Sequence, residues 1–548
     1  MSIFIECYVY SFRNLANLII SLELNHKILF YIIVSLLLTA CSTEEKEEVV
    51  IPFEMQDIPV NEKVKIALSE EYFKQIGIPD STLSYLEKFY SSRNYSPKWI
   101  NDSMLTKTGV QLKNRLPKSF SYGIPKGRVH FIQTENYIQD ELNLTLALAQ
   151  ITYDLDSGII DYENKIKKAK KFVSISTLDS LDFNSEDGIR IQLLNRGKKD
   201  STYLALAQGL INLIDAYPID TSTFNVKSIK YDTLLAAEKT RTALVSKGYL
   251  NDSIRDSTLI ITALQKFQID NGLKPDGVIG KYTSKALNES TYHKVERILL
   301  AMDKIRSRQE RPNKYIHINI PEYKLRYYIN DSLKSDHNIV VGKIGNETPE
   351  LTSKLRKIVV YPYWNVPYSI SSKEILPHLK RDPGYLAKHN YTLLKKDEEI
   401  DPYSVDWSKV RQNSFRYKIR QGVGRKNSLG IIKFDFYNKH SVYFHDTPSK
   451  SLFGVDVRAY SHGCMRTQNP IDLAKVILGR DEYRNKVNEM TPDSLDTLLN
   501  RAENYEIKLL HPIPIFIEYQ TVVRTGGKMQ LYLDIYGRDE EYLEIMRE

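Results

Sequence analysis

The sequence predicts a multidomain α+β protein: an all-α scaffold carrying a compact three-helix module, then a mainly-β domain with a helical lid insertion. Three observations carry this. Apolar residues recur at helical spacing through the first half, and the period changes to two at Lys314. The β pattern is then broken once, by the charged, proline-containing stretch 371–420. At 548 residues the chain has room for three or four domains of about 150 residues each. Apolar content of 42% and charged content of 26% exclude wholesale disorder. A mean hydropathy of −0.38 with a single long apolar run excludes a polytopic membrane protein. The net charge of +8 is spread without a Lys/Arg block, so nothing points to nucleic acid.

The apolar run is Ile28–Ala40, preceded by His26 and Lys27. It is too short to span a bilayer comfortably and fits the apolar region of a signal peptide, with a short buried helix as the alternative. It ends in Leu38-Thr39-Ala40-Cys41, which resembles a bacterial lipobox. That resemblance implies a lipoprotein signal peptide over 1–41, cleaved at the bond before Cys41, with Cys41 itself lipidated as the mature N-terminus. Met1–Asn25 is longer than such a leader needs, which suggests a later start. The acidic stretch 42–59 reads as a solvated tether. Of three cysteines, Cys7 lies in the leader and Cys41 would carry lipid, leaving Cys464 as the mature chain's single thiol. A lone thiol outside the cytoplasm is an oxidation liability, so it needs a chemical reason.

Residues 60–232 read as a helical scaffold domain, with Leu83, Leu86 and Phe89 at helical spacing and a long apolar-rich helix over 140–156. Residues 233–290 form a separate unit. Its second helix carries Ile260, Leu264 and Phe267 and stops at Gly272; a Lys274-Pro275-Asp276-Gly277 turn then leads into a third helix with Thr283 and Leu287. This unit resembles the peptidoglycan-binding domain of cell-wall hydrolases. A helical connector follows over 291–312.

From Lys314, Tyr315, His317 and Asn319 alternate with Ile316, Ile318 and Ile320. Further short β-runs at 325–328, 339–341, 358–361, 431–436 and 441–445 suggest a sandwich or barrel spanning 313–500. The insertion at 371–420 is a candidate lid, and 501–548 is left as a C-terminal segment.

The chemistry gathers around the lone thiol, in Tyr443-Phe444-His445-Asp446-Thr447-Pro448 and Tyr460-Ser461-His462-Gly463-Cys464-Met465-Arg466. A cysteine nucleophile needs a base, and imidazole is the usual one. His445 ends a strand, on the same face as Tyr443, to which the chain can return at Cys464. Gly463 permits a tight turn that exposes the thiol and aims backbone N–H groups at a developing oxyanion. Asn469, Pro470 and Gly479 bracket a short helix beyond it.

These residues resemble the L,D-transpeptidase (YkuD-type) family, whose signature is a His, a spacer, and Ser/Thr-His-Gly-Cys-x-Asn/Arg. The large Gram-negative subfamily is also resembled in Asn319-Ile320-Pro321, Val340-Val341-Gly342-Lys343, Thr348-Pro349, Pro362-Tyr363-Trp364-Asn365-Val366-Pro367, Asn427-Ser428-Leu429-Gly430 and Lys433-Phe434. Gln421-Gly422-Val423-Gly424 departs from it, since relatives usually have a proline there. The resemblance implies Cys464 as nucleophile, His445 as general base, and Gly463 with His462 as oxyanion or loop support. Arg466 and Tyr460 would bind substrate, Arg466 through a carboxylate. His462 could equally hold the loop by hydrogen bonds. Trp364 and Tyr363 are either groove aromatics or β-core.

The implied activity is formation of 3–3 peptidoglycan cross-links by a monomer on stem peptides, with no cofactor and no metal. The implied location is the periplasm, lipid-anchored to the outer membrane, with the cell surface as an alternative. Two rivals are an L,D-carboxypeptidase or amidase of the same chemistry, and a non-catalytic lipoprotein tethering envelope to wall.

Overall fold

The computed structural model describes residues 58–479 and 491–548, apart from 70–72, 75–77, 130, 132–133, 135, 182–187, 198–200, 218, 220 and 229–232. The expected leader, Cys41 and nearly all of the tether lie outside the described residues. The chain forms two compact units, one of residues up to Gly109 with Ile132–Thr145, the other of Val110–Phe131 with Leu146–Glu548.

The first unit is organised by a buried carboxylate. Glu141 accepts backbone N–H bonds from Lys98, Trp99 and Ile100 (2.7, 2.7 and 3.1 Å) and the Tyr90 hydroxyl at 2.7 Å. Burial still holds its carboxyl above the ordinary range.

In the second unit, helices Ser201–Ala216, Thr291–Ser307 and Arg538–Arg547 share one apolar core built on Leu206, Leu210, Ile298, Met302 and Leu543. The expected connector helix is the buried centre of this layer. Its Asp303 pairs with Arg306 at 2.8 Å and accepts the N–H of Ile159 at 2.7 Å, which satisfies charges that could not otherwise be buried. Helices Thr233–Ser246, Ser257–Asp270 and Lys281–Asn288 enclose a core of their own around Leu244, Leu264, Phe267 and Leu287, in the region expected to be a three-helix module.

The β domain has nine principal strands: β1 Lys314–Asn319, β2 Lys324–Ile329, β3 Ser332–Gly342, β4 Leu351–Val360, β5 Ile432–Phe436, β6 Phe444–His445, β7 Ala459–Ser461, β8 Met465–Thr467 and β9 Tyr505–Glu518. Eight of them close a ring in the order β3–β8–β6–β5–β4–β9–β1–β2 and back to β3, while β7 lengthens the edge of β3 beyond β2. Closure removes the free edges of an open sheet. The interior holds Ile318, Leu325, Ile339, Phe434, Phe444 and Ile515, all fully buried. β9 lies between β4 and β1, so a strand past the expected boundary at residue 500 is central to this domain. Pro512 falls within a bulge against β4, and Pro514 precedes Ile515, where pairing with β1 begins, so neither proline breaks a two-sided ladder.

The insertion is wider and less helical than the sequence suggests. Trp364–Asn365 pairs with Lys418–Gln421, which pairs with Tyr391–Lys395, which pairs with Glu398–Glu399. Short helices at Leu376–Leu379 and Tyr385–Lys388 complete a small α+β subdomain, with Leu379, Leu386, Trp407, Phe415 and Ile419 as its own core.

Candidate active site

β6 and β8 are only two and three residues long, yet they place the chemistry. They run parallel, with Phe444 opposite Met465 and His445 opposite Arg466. Phe444 and Met465 are wholly buried in the barrel interior. Strand alternation therefore sends Tyr443, His445, Cys464 and Arg466 to the other face together. Lys433 of β5, register partner of His445, lies beside them with its ammonium 4.1 Å from the Tyr443 ring centre.

The nucleophile loop is stitched from several directions. Gly463 has φ +110°, a conformation that strains any L side chain. Its carbonyl accepts the Thr348 hydroxyl at 2.8 Å, and Thr348 accepts the Gly342 N–H at 2.9 Å. This is what Gly342 and Thr348-Pro349 of the sequence pattern do. Ser461 donates its hydroxyl to the Cys464 carbonyl at 2.5 Å and accepts the Gly463 N–H at 3.2 Å. The Gly463 N–H is thus engaged within the loop, leaving the Cys464 N–H as the loop donor available to a developing oxyanion. The helix Pro470–Leu478 follows; Asn469 precedes it in the left-handed region (φ +48°) without a side-chain cap.

His445 is held by its own strand end. Its Nδ1–H donates to the Asp446 carbonyl at 2.5 Å, which leaves Nε2 as the basic nitrogen. Asp446 is fixed in turn by the Ile431 N–H on its carboxylate at 3.0 Å and by Lys450. A Cβ on Gly430 would meet that carboxylate at 2.1 Å, so the Asn427–Gly430 turn must end in glycine.

Burial, with help from the Arg466 and Lys433 charges, pushes the His445 imidazole down to about 4, so it is neutral at physiological pH. Burial pushes the Cys464 thiol up. The resting pair is therefore a thiol and a neutral imidazole rather than an ion pair. Among the described residues no hydrogen bond joins them; instead the Cys464 thiol points to the Ser441 carbonyl at 4.0 Å, with Tyr443 beside it and electrostatically coupled to it.

The pH consequence has a definite sign. Because the His445 pKa lies below its usual value, the base stays competent until pH falls through about 4. Because the thiol pKa is raised, thiolate grows only above the ordinary thiol range, near 8.5. Alkylation of Cys464 by iodoacetamide is expected to keep accelerating beyond pH 9. A plateau reached by pH 7 would reveal a preformed thiolate–imidazolium pair.

Arg466 makes no ion pair with a carboxylate among the described residues and senses the Cys464 sulfur. His462 turns away from the thiol and bonds Glu374 of the insertion at 2.7 Å, the loop-holding geometry. Tyr460 is half exposed and lies near Tyr282 of the three-helix unit. Tyr363 is 48% exposed, with the Arg420 guanidinium 5.2 Å from its ring centre, whereas Trp364 reaches the nucleophile through Tyr443. The sequence marks Tyr443 only as sharing a face with His445 and Lys433 only within the family pattern, without a role for either at the site, and gives no sign of Glu374. The two-residue spacing from His445 was the available signal for Tyr443.

The closed β domain thus brings one cysteine and one histidine to the same face of two adjacent parallel strands. Comparison with known proteins extends this. Residues 313–488 match the family described as the L,D-transpeptidase catalytic domain (YkuD), and residues 84–210 match one described as the scaffold domain. A putative L,D-transpeptidase of Haemophilus influenzae is 34% identical over 227 residues, which are 41% of this chain and 45% of that protein. The chain thus spans under half the length of that curated relative. Among solved structures, an L,D-transpeptidase from Mycobacterium smegmatis is 12% identical, covering 38% of this chain and 58% of its own, at a TM-score of 0.17. A cysteine-to-serine mutant of the Enterococcus faecium L,D-transpeptidase is 10% identical, covering 51% and 99%, at 0.16. Residues 313–488 are thus similar to the L,D-transpeptidase catalytic domain, and residues 84–210 to the scaffold domain.

Proposed function

We propose that this protein forms 3–3 peptidoglycan cross-links through a thioester on Cys464. The observation that carries the reading is the β6–β8 register, which sets nucleophile, base and Arg466 on one face, with His445 Nδ1 pinned so that Nε2 is basic. Arg466 would hold a carboxylate of the donor tetrapeptide stem. Cys464 Sγ attacks the carbonyl at the L-centre of diaminopimelate while its proton passes to His445 Nε2. The Cys464 N–H meets the oxyanion. Collapse expels D-alanine, which takes the proton from His445. The side-chain amine of a second diaminopimelate then attacks the thioester, giving its proton to His445, and the thiol is restored. No cofactor enters this cycle.

Muropeptide analysis of isolated sacculi treated with purified protein tests the reading. New 3–3 dimers with free D-alanine are expected. Tripeptides without dimers would make water the acceptor, and binding without any turnover would favour the tether.

The insertion favours amine over water. Glu374 joins it to His462, two residues from the nucleophile, and a covered thioester is shielded from solvent. Glu374→Ala is expected to raise the ratio of hydrolysis to transfer by up to about fivefold, what a partly exposed pair worth roughly 1 kcal/mol can shift. An unchanged ratio would make the contact decorative.

The anchor belongs to the same proposal. Leu38–Cys41 supports lipidation at Cys41 and attachment to the outer membrane. Cys41→Ser is expected to abolish processing before residue 41 and to release the protein from membranes. Fractionation showing it still cleaved there and membrane-bound would refute this.

A further inference from the structure

On the barrel wall opposite the nucleophile, a cleft of about 1090 Å³ separates β1 and β2 from the helical layer. In the ring, β1 lies four strands from β6 in either direction. Asp156, Gln192, Arg196 and Ser201 form the helical side, and Tyr315, His317, Tyr328 and Glu518 the barrel side. The proposed reaction uses none of them.

The lining selects a ligand class. Five arginines face the cleft, and five carboxylates balance them. Most are paired in place: Arg196 with Asp156 at 3.1 Å, Arg311 with Glu518 at 2.5 Å, and Arg326 with Glu322 at 2.5 Å. His317 adds a bond to Glu518 at 3.0 Å. A polyanion would find little uncompensated charge, and an apolar ligand would strand polar groups away from water. A neutral polyol suits both facts, since its hydroxyls can bridge paired guanidinium and carboxylate groups. Its C–H faces suit aromatic rings, and Tyr315 and Tyr328 stack here with centroids 5.1 Å apart. At the floor, Gln520 is 8% exposed and its Oε1 has no partner among the described residues, an acceptor that a hydroxyl or acetamide N–H would satisfy. The volume lies just above the ~300–1,000 Å³ usual for small-ligand sites, enough for several linked sugar rings.

We propose that this cleft is a second, non-catalytic site for a neutral acetamido-sugar chain. Naming that chain as the glycan backbone of the wall rests on the transpeptidase reading; the cleft's affinity for the saccharide does not. Two-point attachment would hold the polymer while stem peptides are exchanged at Cys464, raising local substrate concentration.

Isothermal titration of the full chain with the N-acetylglucosamine hexamer tests this without any stem peptide. Saturable binding is expected, weakened about tenfold or more by Arg524→Ala, an exposed change at the cleft rim, and again by Tyr328→Ala, as losing roughly 1.4 kcal/mol of contact would do. If Tyr328→Ala lowers the thermal midpoint, Gln192→Ala replaces it. No binding by the wild type, equal binding by the rim variants, or displacement of the hexamer by polyglutamate would each overturn the proposal. Cross-linking assayed separately on soluble stem peptides would be untouched by that failure.

Discussion

Cys464→Ala is expected to leave no 3–3 dimers above background and no covalent carbapenem adduct, while the fold and sacculus binding persist. The wild type should take up one meropenem per chain, mapped to the Cys464 peptide. The effect is near total because Cys464 is the one free thiol among the described residues, and a thiol is intrinsically far more nucleophilic than the neighbouring groups. Serine in its place would restore little: a hydroxyl is a far weaker acid than a thiol, and His445, held down to about 4, is a weak base for it. Met465, next to the nucleophile, packs in the barrel interior, whereas the Cys464 side chain is only partly buried against that core, so alanine, which removes one sulfur atom, costs little stability. Thermal melting checks that point.

His445→Ala is expected to slow acylation by roughly 10²- to 10⁴-fold, the usual worth of a positioned base. The residual rate should climb steeply with pH, because thiolate must then form unaided from a thiol whose pKa is already raised. Stopped-flow meropenem acylation across pH 6 to 10 reads both quantities. Loss of less than tenfold, with an unchanged pH profile, would shift the proton-accepting role elsewhere. The neighbouring candidate is Tyr443, whose hydroxyl is electrostatically coupled to the sulfur; burial raises its pKa, which keeps it protonated and no base at neutral pH. Tyr443→Phe would then separate the two, since it removes the hydroxyl and keeps the ring.

Much of this site was legible because its residues are close in sequence or repeat a local rule. Period two through Tyr315–Ile320 announced β1, and His445, Gly463 and Cys464 sit in short motifs whose geometry is local. What was hidden depends on distant pairing. β9 carries Pro512 and Pro514, which argue against a central strand until a bulge and a one-sided stretch of ladder are seen to accommodate them. β3 and β4 extend well beyond their apolar runs because polar residues such as Ser335, Thr352 and Lys354 occupy the solvent side. Tyr391–Lys395 and Lys418–Gln421 are four or five residues long and lysine-flanked, so their pairing across the insertion left no periodic trace. The helix Thr291–Ser307 looked like a charged connector because Lys294, Glu296, Arg297, Asp303 and Arg306 fill it. All five are buried; Lys294, Glu296 and Arg297 find partners beyond the helix, while Asp303 and Arg306 pair within it and bond other segments only in the folded chain. Glu374 belongs to the same group, since nothing local marks a carboxylate that meets His462 across 88 positions.

Mass spectrometry of the acyl-enzyme is the most direct test of the account. Wild-type protein is mixed with a disaccharide-tetrapeptide donor lacking an acceptor, quenched in acid, digested and mapped. The account predicts release of D-alanine in step with a thioester-linked disaccharide-tripeptide on the Cys464 peptide, lost on treatment with hydroxylamine and absent from Cys464→Ala. D-Alanine release with no adduct on Cys464, or undiminished release by Cys464→Ala, would contradict it.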